Sequence, residues 1–187
     1  MIPIRNKKKK HKVTNEEMRN FAFAYVEKYA PSKQQLKTYL LKKYLKTSIT
    51  NVKKQDVNNL IDIVLSDLEK NKFINDKFYS ETKAKSMIRR GNSINKIRSY
   101  LIAKGIRDDF IKETVSKIQD ENSDQDFFSA IKICKKKRIG PARVNDNRTL
   151  FYKKDISLLA RNGFDFETSK KIMDLEKEDY LKIIKLL

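Results

Sequence analysis

Apolar positions in this chain recur mostly at intervals of three and four, the spacing of one face of an α-helix. Thr14 with Glu17 has the form of a capping box, in which each residue satisfies a backbone donor of the other. It introduces a stripe of Met18, Phe21, Ala22, Tyr25, Val26 and Tyr29, which Pro31 ends because proline cannot continue the hydrogen-bond ladder. Ser32 with Gln35 repeats the box and opens a second helix, striped by Leu36, Leu40, Leu41, Tyr44 and Leu45. Val57, Leu60, Ile61, Val64, Leu65 and Leu68 mark a third. The plan then returns in fewer residues. Asp76 is expected to cap a helix carrying Phe78, Ala84, Met87 and Ile88, Gly91 to supply a left-handed stop, and Ser93 to cap the next helix. Gly105 stops that helix in turn, and Asp108 or Asp109 starts another with Ile111, Val115 and Ile118. A further set begins near Asp124 with Phe127, Phe128, Ile131 and Cys134, breaks at Gly140 and Pro141, and resumes with Leu150, Phe151, Ile156, Leu158 and Leu159 up to Gly163. Two short stripes close the chain, Ile172, Met173 and Leu175, then Tyr180, Leu181, Ile183 and Ile184.

These stripes are copies of one another. Ser93, Ile97, Tyr100, Leu101 and Lys104 stand sixty-one positions after Ser32, Leu36, Tyr39, Leu40 and Lys43, and Leu101, Gly105 and Ile106 return fifty-eight positions later as Leu159, Gly163 and Phe164. Self-similarity of this kind is the signature of stacked supersecondary units, each too small to bury its own apolar face. The expected fold is all-α, with tandem three-helix units stacked into an elongated, curved body of nine or ten helices. The expected division is a disordered basic tail over 1–13, repeats over 14–75 and 76–122, and a third repeat with a C-terminal helix over 123–187. Four Gly and three Pro are too few for an all-β chain, which needs turn residues every eight to twelve positions.

The segment from Phe73 to Ile106 resembles the RecX family, bacterial regulators that bind and mostly restrain the RecA recombinase filament. The resemblance rests on Asn75-Asp76 with Phe78, on Arg89-Arg90-Gly91 before Ser93, on Tyr100-Leu101, on Lys104-Gly105-Ile106, and on Asn162-Gly163-Phe164 in the last repeat. It departs from the family between Lys46 and Gln55, where two helices stand further apart, and no role is carried onto that stretch. What the resemblance implies is a modulator that lowers ATP hydrolysis, strand exchange and coprotease activity in DNA repair and recombination and in the SOS response.

Charge gives this reading a physical surface. Lys and Arg number 43 against 24 Asp and Glu, a formal net charge of +19, which favours nucleic acid, acidic protein or anionic lipid. A coding bias towards A and T also enriches Lys, although it raises Asp and Glu only somewhat less. Lys85, Arg89 and Arg90 crowd one helix end, Lys96, Arg98 and Lys104 follow on its neighbour, and Lys135, Lys136 and Arg138 run towards Arg143 and Arg148. These eleven are the candidate contacts to a filament or to the DNA in or beside it, and a solvated cationic face is the structural alternative.

Catalytic chemistry has little to work with. His11 is the sole histidine and Cys134 the sole cysteine, so neither a catalytic triad nor a structural zinc site is available, and Cys134 between apolar neighbours reads as buried filler. Asp108, Asp109 and Glu113 could serve a magnesium-dependent nuclease but suit a helix start better. No phosphate-binding glycine loop occurs, and no cofactor is expected. The expectation is a cytoplasmic monomer that is not an enzyme and has no membrane partner. The alternative is an autonomous DNA binder in which one helix pair acts as a helix-turn-helix, although no helix concentrates Arg, Asn and Gln as base readers.

Overall fold

The structure, a computed structural model, describes residues 13–46, 53–143 and 147–187. The basic tail and most of the stretch between Lys46 and Gln55 therefore lie outside the described residues. Within them the chain is all helical, without a strand: α1 (Asn15–Tyr29), α2 (Lys33–Lys46), α3 (Lys54–Lys70), α4 (Asp76–Arg89), α5 (Ile94–Ala103), α6 (Asp108–Glu121), α7 (Gln125–Lys137), a 3-10 turn over Gly140–Ala142, α8 (Arg148–Arg161), α9 (Phe166–Met173) and α10 (Lys177–Leu186). They form two compact units, residues 1–79 with 104–106, and residues 80–103 with 107–187.

In the first unit, α1, α2 and α3 pack on one another around Met18, Ala22, Leu36, Leu40, Tyr44, Ile61, Leu65 and Leu68, the positions their stripes predict. Thr14 Oγ1 accepts the Glu17 N–H at 3.3 Å, and the second box closes in both directions, Ser32 N–H to Gln35 Oε1 at 3.1 Å and Gln35 N–H to Ser32 Oγ at 3.2 Å. In the second unit, α5 packs on α6, and the Ser80 and Thr114 hydroxyls meet at 2.9 Å in a buried pair. A second core of Ile131, Ile133, Cys134, Ile139, Leu159, Phe164, Ile172, Met173 and Tyr180 joins α7 to α10. Burial, and then the nearby Asp155, pushes the Cys134 thiol up to about 12, so it is filler and not a nucleophile.

One set of bonds occurs twice, once within each unit. In the first unit, Ser32 Oγ donates to the Lys104 carbonyl at 2.7 Å while Lys33 N–H donates to Asp76 Oδ1 at 2.8 Å. In the second, Ser93 Oγ donates to the Asn162 carbonyl at 2.8 Å while Ile94 N–H donates to Asp126 Oδ1 at 2.8 Å. Each serine thus caps its own helix and reaches the end of an equivalent one. Gly105 and Gly163, both at positive φ, follow those two carbonyl residues. A Cβ on Gly105 would lie 2.5 Å from Gln34 Cβ, and one on Gly163 would lie 2.5 Å from Ser93 Oγ and 3.0 Å from Lys96 N. Glycine is required there by conformation and by close approach together.

Several sequence expectations fail in instructive ways. Asn75, not Asp76, caps α4: its Oδ1 accepts the Phe78 N–H at 3.0 Å, and Asp76 is freed to accept from Lys33. The start of α6 agrees with expectation, since Asp108 is its first residue and Asp109 lies in its first turn, behind Arg107 at the cap position. Phe78 is 67% exposed because the buried face of α4 runs through Tyr79, Ser80, Ala84 and Met87, one residue out of register with it. Leu150 is 77% exposed for the same reason, the buried line of α8 being Asp155 and Leu159. Tyr29 and Leu45 end their stripes at the surface.

Candidate interaction surface

Gly91 sets the geometry of the turn after the basic end of α4 in the second unit. At φ +81° it turns the chain after α4, and a Cβ there would stand 3.0 Å from the Ser129 carbonyl and 3.1 Å from Lys132 Cβ. The absence of that Cβ lets the turn after α4 approach α7. Lys85 and Arg89 lie four apart on one face of α4, Arg90 follows in sequence, and the turn at Gly91 meets Lys132 of α7, the helix whose last turn carries Lys135, Lys136 and Lys137. Lys85, Arg89, Lys135, Lys136 and Arg138 are exposed, with no carboxylate of the described residues in ion-pair distance. Arg90 is also exposed and donates to Ser86 Oγ at 2.7 Å. Part of this charge complements the C-terminal dipole ends of α4 and α7, a local effect of about 0.3–1 kcal/mol. That leaves the field outward from the helices largely intact.

Other candidate cations are placed differently. Arg98 is exposed on α5, whereas Lys96 is half-buried and its Nζ lies 3.3 Å from the Arg161 carbonyl. Lys104 is half-buried in the first unit, and its carbonyl accepts the Ser32 hydroxyl. Arg143 and Arg148 correct the expectation of free cations. Arg143 holds Asp155 through two bonds, Nε at 2.8 Å and Nη2 at 2.6 Å, while Asp155 Oδ2 also accepts the Gly140 N–H at 2.9 Å. The Asp155 side chain is 2% exposed, so this arginine neutralises a buried charge in the α8 core. Arg148 Nη2 donates to the carbonyls of Met173 and Leu175, tying α8 to the end of α9. No spacing rule marks either residue as internal, because the partner carboxylate or carbonyl lies twelve or more positions away.

Sequence reasoning also passes over a cleft of about 480 Å³ between α5 and the end of α8. Met87, Tyr100 and Ala160 give it apolar walls, Asn95 and Ser99 line it on α5, and Lys96 and Arg161 add cations. Gly163 also lines it, at a point where the backbone passes so close to Ser93 and Lys96 that no Cβ would fit. Arg161 is detectable in principle as the residue fifty-eight after Ala103, a change from neutral to cationic at an equivalent position.

Fold and composition together define an all-helical protein, among its described residues, with a strongly basic charge balance. No family model matches the chain, whereas its individual relatives agree with one another. It is 30% identical over 173 residues to Regulatory protein RecX of Myxococcus xanthus (strain DK1622), covering 91% of each chain. It is 30% identical over 108 residues to Regulatory protein RecX of Agrobacterium fabrum (strain C58 / ATCC 33970), covering 58% of this chain and 55% of the relative. A solved structure described as the crystal structure of regulatory protein RecX superposes with a TM-score of 0.59 at 20% identity, over 86% of this chain and 74% of the other, and so shares the fold. The chain belongs to the RecX family of regulatory proteins.

Proposed function

We propose that this protein binds the RecA recombinase filament in the cytoplasm and restrains it, lowering ATP hydrolysis, strand exchange and coprotease activity during DNA repair and recombination. It acts by occupying the filament and catalyses no reaction of its own. Membership of the RecX family carries this reading. Support of a physical kind comes from the exposed cations near the ends of α4 and α7, two helices that approach each other at Gly91. Such cations suit acidic protein surface and the phosphates of DNA enclosed in a filament, and their field also speeds encounter.

The test is co-sedimentation with recombinase filaments assembled on single-stranded DNA with a slowly hydrolysed ATP analogue. Replacing Arg89, Arg90, Lys135, Lys136 and Arg138 together by Gln should weaken binding and flatten its salt dependence, by about one unit of log-log slope for each phosphate that is no longer neutralised. Unaltered binding and slope would remove these cations from the interface.

A further inference from the structure

The cleft beside α5 differs in chemistry from the exposed cations near the ends of α4 and α7. Its walls are apolar, Met87, Tyr100 and Ala160, while its charge is confined to Lys96 and Arg161. The repeat does not require that charge: sixty-one positions before Lys96 stands Gln35, and fifty-eight before Arg161 stands Ala103. Neither α5 nor α8 offsets it with an unpaired acid, Glu81 of α4 pairs with Lys117, and Asp126 is engaged by the Ile94 N–H at the start of α5. The α5 helix contains no Asp or Glu, and the sole carboxylate of α8, Asp155, is buried on Arg143.

Helix ends contribute in opposite senses. The first turn of α5 presents the positive end of its dipole to the cleft, and the last turn of α8 presents a negative end. Each is worth roughly 0.3–1 kcal/mol, so they nearly cancel and the two full side-chain charges decide the sign. Lys96 is half-buried and its ammonium donates to the Arg161 carbonyl at 3.3 Å, which fixes it among the lining residues. Asn95 Nδ2 is likewise held by the Gly163 carbonyl at 3.3 Å, leaving its own carbonyl oxygen to accept from a ligand, and Ser99 is exposed alongside.

We infer that this cleft docks an acidic peptide segment of the protein partner, an apolar side chain of the segment entering between Met87, Tyr100 and Ala160 and its flanking carboxylates meeting Lys96 and Arg161. A short apolar recess rimmed by two cations and two hydrogen-bonding side chains is the shape of a peptide anchor. A single nucleic-acid strand would instead call for a longer cationic track with successive aromatic faces, and this recess has one aromatic ring. The inference rests on the proposed filament-binding function and names the contact that function would use.

Fluorescence polarisation of a short labelled peptide, Asp and Glu residues around a central Leu, tests it on the full chain. The wild-type protein should bind this probe, and should bind poorly the versions with Leu replaced by Ser or the carboxylates by amides. Lys96→Gln with Arg161→Gln should weaken probe binding about tenfold or more. Ser99→Trp, an exposed position whose new ring fills the recess, should do the same with the thermal transition unchanged. Both variants should also lose affinity for the recombinase filament. Equal binding of the amide peptide, or displacement of the acidic one by oligo-dT at lower concentration, would overturn the assignment, the latter making the cleft a nucleic-acid site. If the wild type binds filament and both variants bind it equally well, the cleft proposal alone falls. If the wild type does not bind filament at all, the functional reading falls first.

Discussion

Asp76 and Asp126 occupy the same place in successive repeats, each accepting the first backbone N–H of an earlier helix. Burial raises both above the usual carboxylate range, the accepted N–H works against that, and a neighbouring acid, Glu69 or Asp165 respectively, adds to the rise. A carboxyl whose pKa is higher folded than unfolded contributes most below its unfolded pKa and loses that contribution as pH rises through the folded value. At neutral pH, then, the acceptor atom is useful and the charge on it is a cost. Asp126→Ala should destabilise by about 1–2 kcal/mol by stranding the Ile94 N–H, whereas Asp126→Asn, which keeps an oxygen acceptor, should change stability by no more than about 0.5 kcal/mol at pH 7. As pH falls from 7 towards the carboxylate range, the wild type should gain on Asp126→Asn, read as a narrowing or reversal of the difference in denaturant midpoint. Arg143 separates internal from external cations. Arg143→Ala leaves the buried Asp155 without its partner and should cost about 3–5 kcal/mol, while Arg138→Ala, at an exposed position, should stay within about 0.5 kcal/mol in the same urea titration.

Helices are legible in the sequence because their punctuation is local. Ser32 with Gln35 closes its box in both directions, Thr14 caps through the Glu17 N–H, and the glycines at 91, 105 and 163 take positive φ, all acting within a few residues. The Ser93 side chain shows where such reasoning stops. Its cap to the Lys96 N–H at 3.1 Å is readable from sequence, but its second bond, to a carbonyl sixty-nine positions away, follows from packing. The same limit hides Asp76 and Asp126 as acceptors and Arg143 and Arg148 as internal ties, and it hides the cleft, whose walls come from three separate helices. Phe78 misleads for a different reason, since a stripe built on it and a stripe built on Tyr79 differ by one residue and only the packed partner selects between them. At the joint itself, Gly163→Ala should be more harmful than a left-handed cap alone implies. Its Cβ meets Ser93 Oγ, already committed to two bonds, and the backbone of Lys96, so a loss of about 1–3 kcal/mol is expected in thermal or chemical denaturation. A change near zero would mean that the α5–α8 joint opens without cost.

At the scale of the molecule, the cations fall into those that ion-pair or hydrogen-bond within the fold, as Arg143 and Arg148 do, and those left facing solvent. The candidate residues read from sequence divide accordingly: Lys85, Arg89, Arg90, Arg98, Lys135, Lys136 and Arg138 face solvent, Lys96 belongs to the cleft, Lys104 lies in the other unit, and Arg143 and Arg148 serve the fold. Regulation by occupation of a filament predicts an effect out of proportion to the amount added, because one bound molecule influences many protomers. The most direct measurement is DNA-dependent ATP hydrolysis by the recombinase, followed as this protein is added at amounts well below it. Two levels of single-stranded DNA, one just saturating and one in large excess, complete the design. Filament regulation predicts strong inhibition at the first level, only diluted at the second. Inhibition that vanishes in proportion to the DNA this protein binds by itself, or no inhibition at either level, would contradict the account.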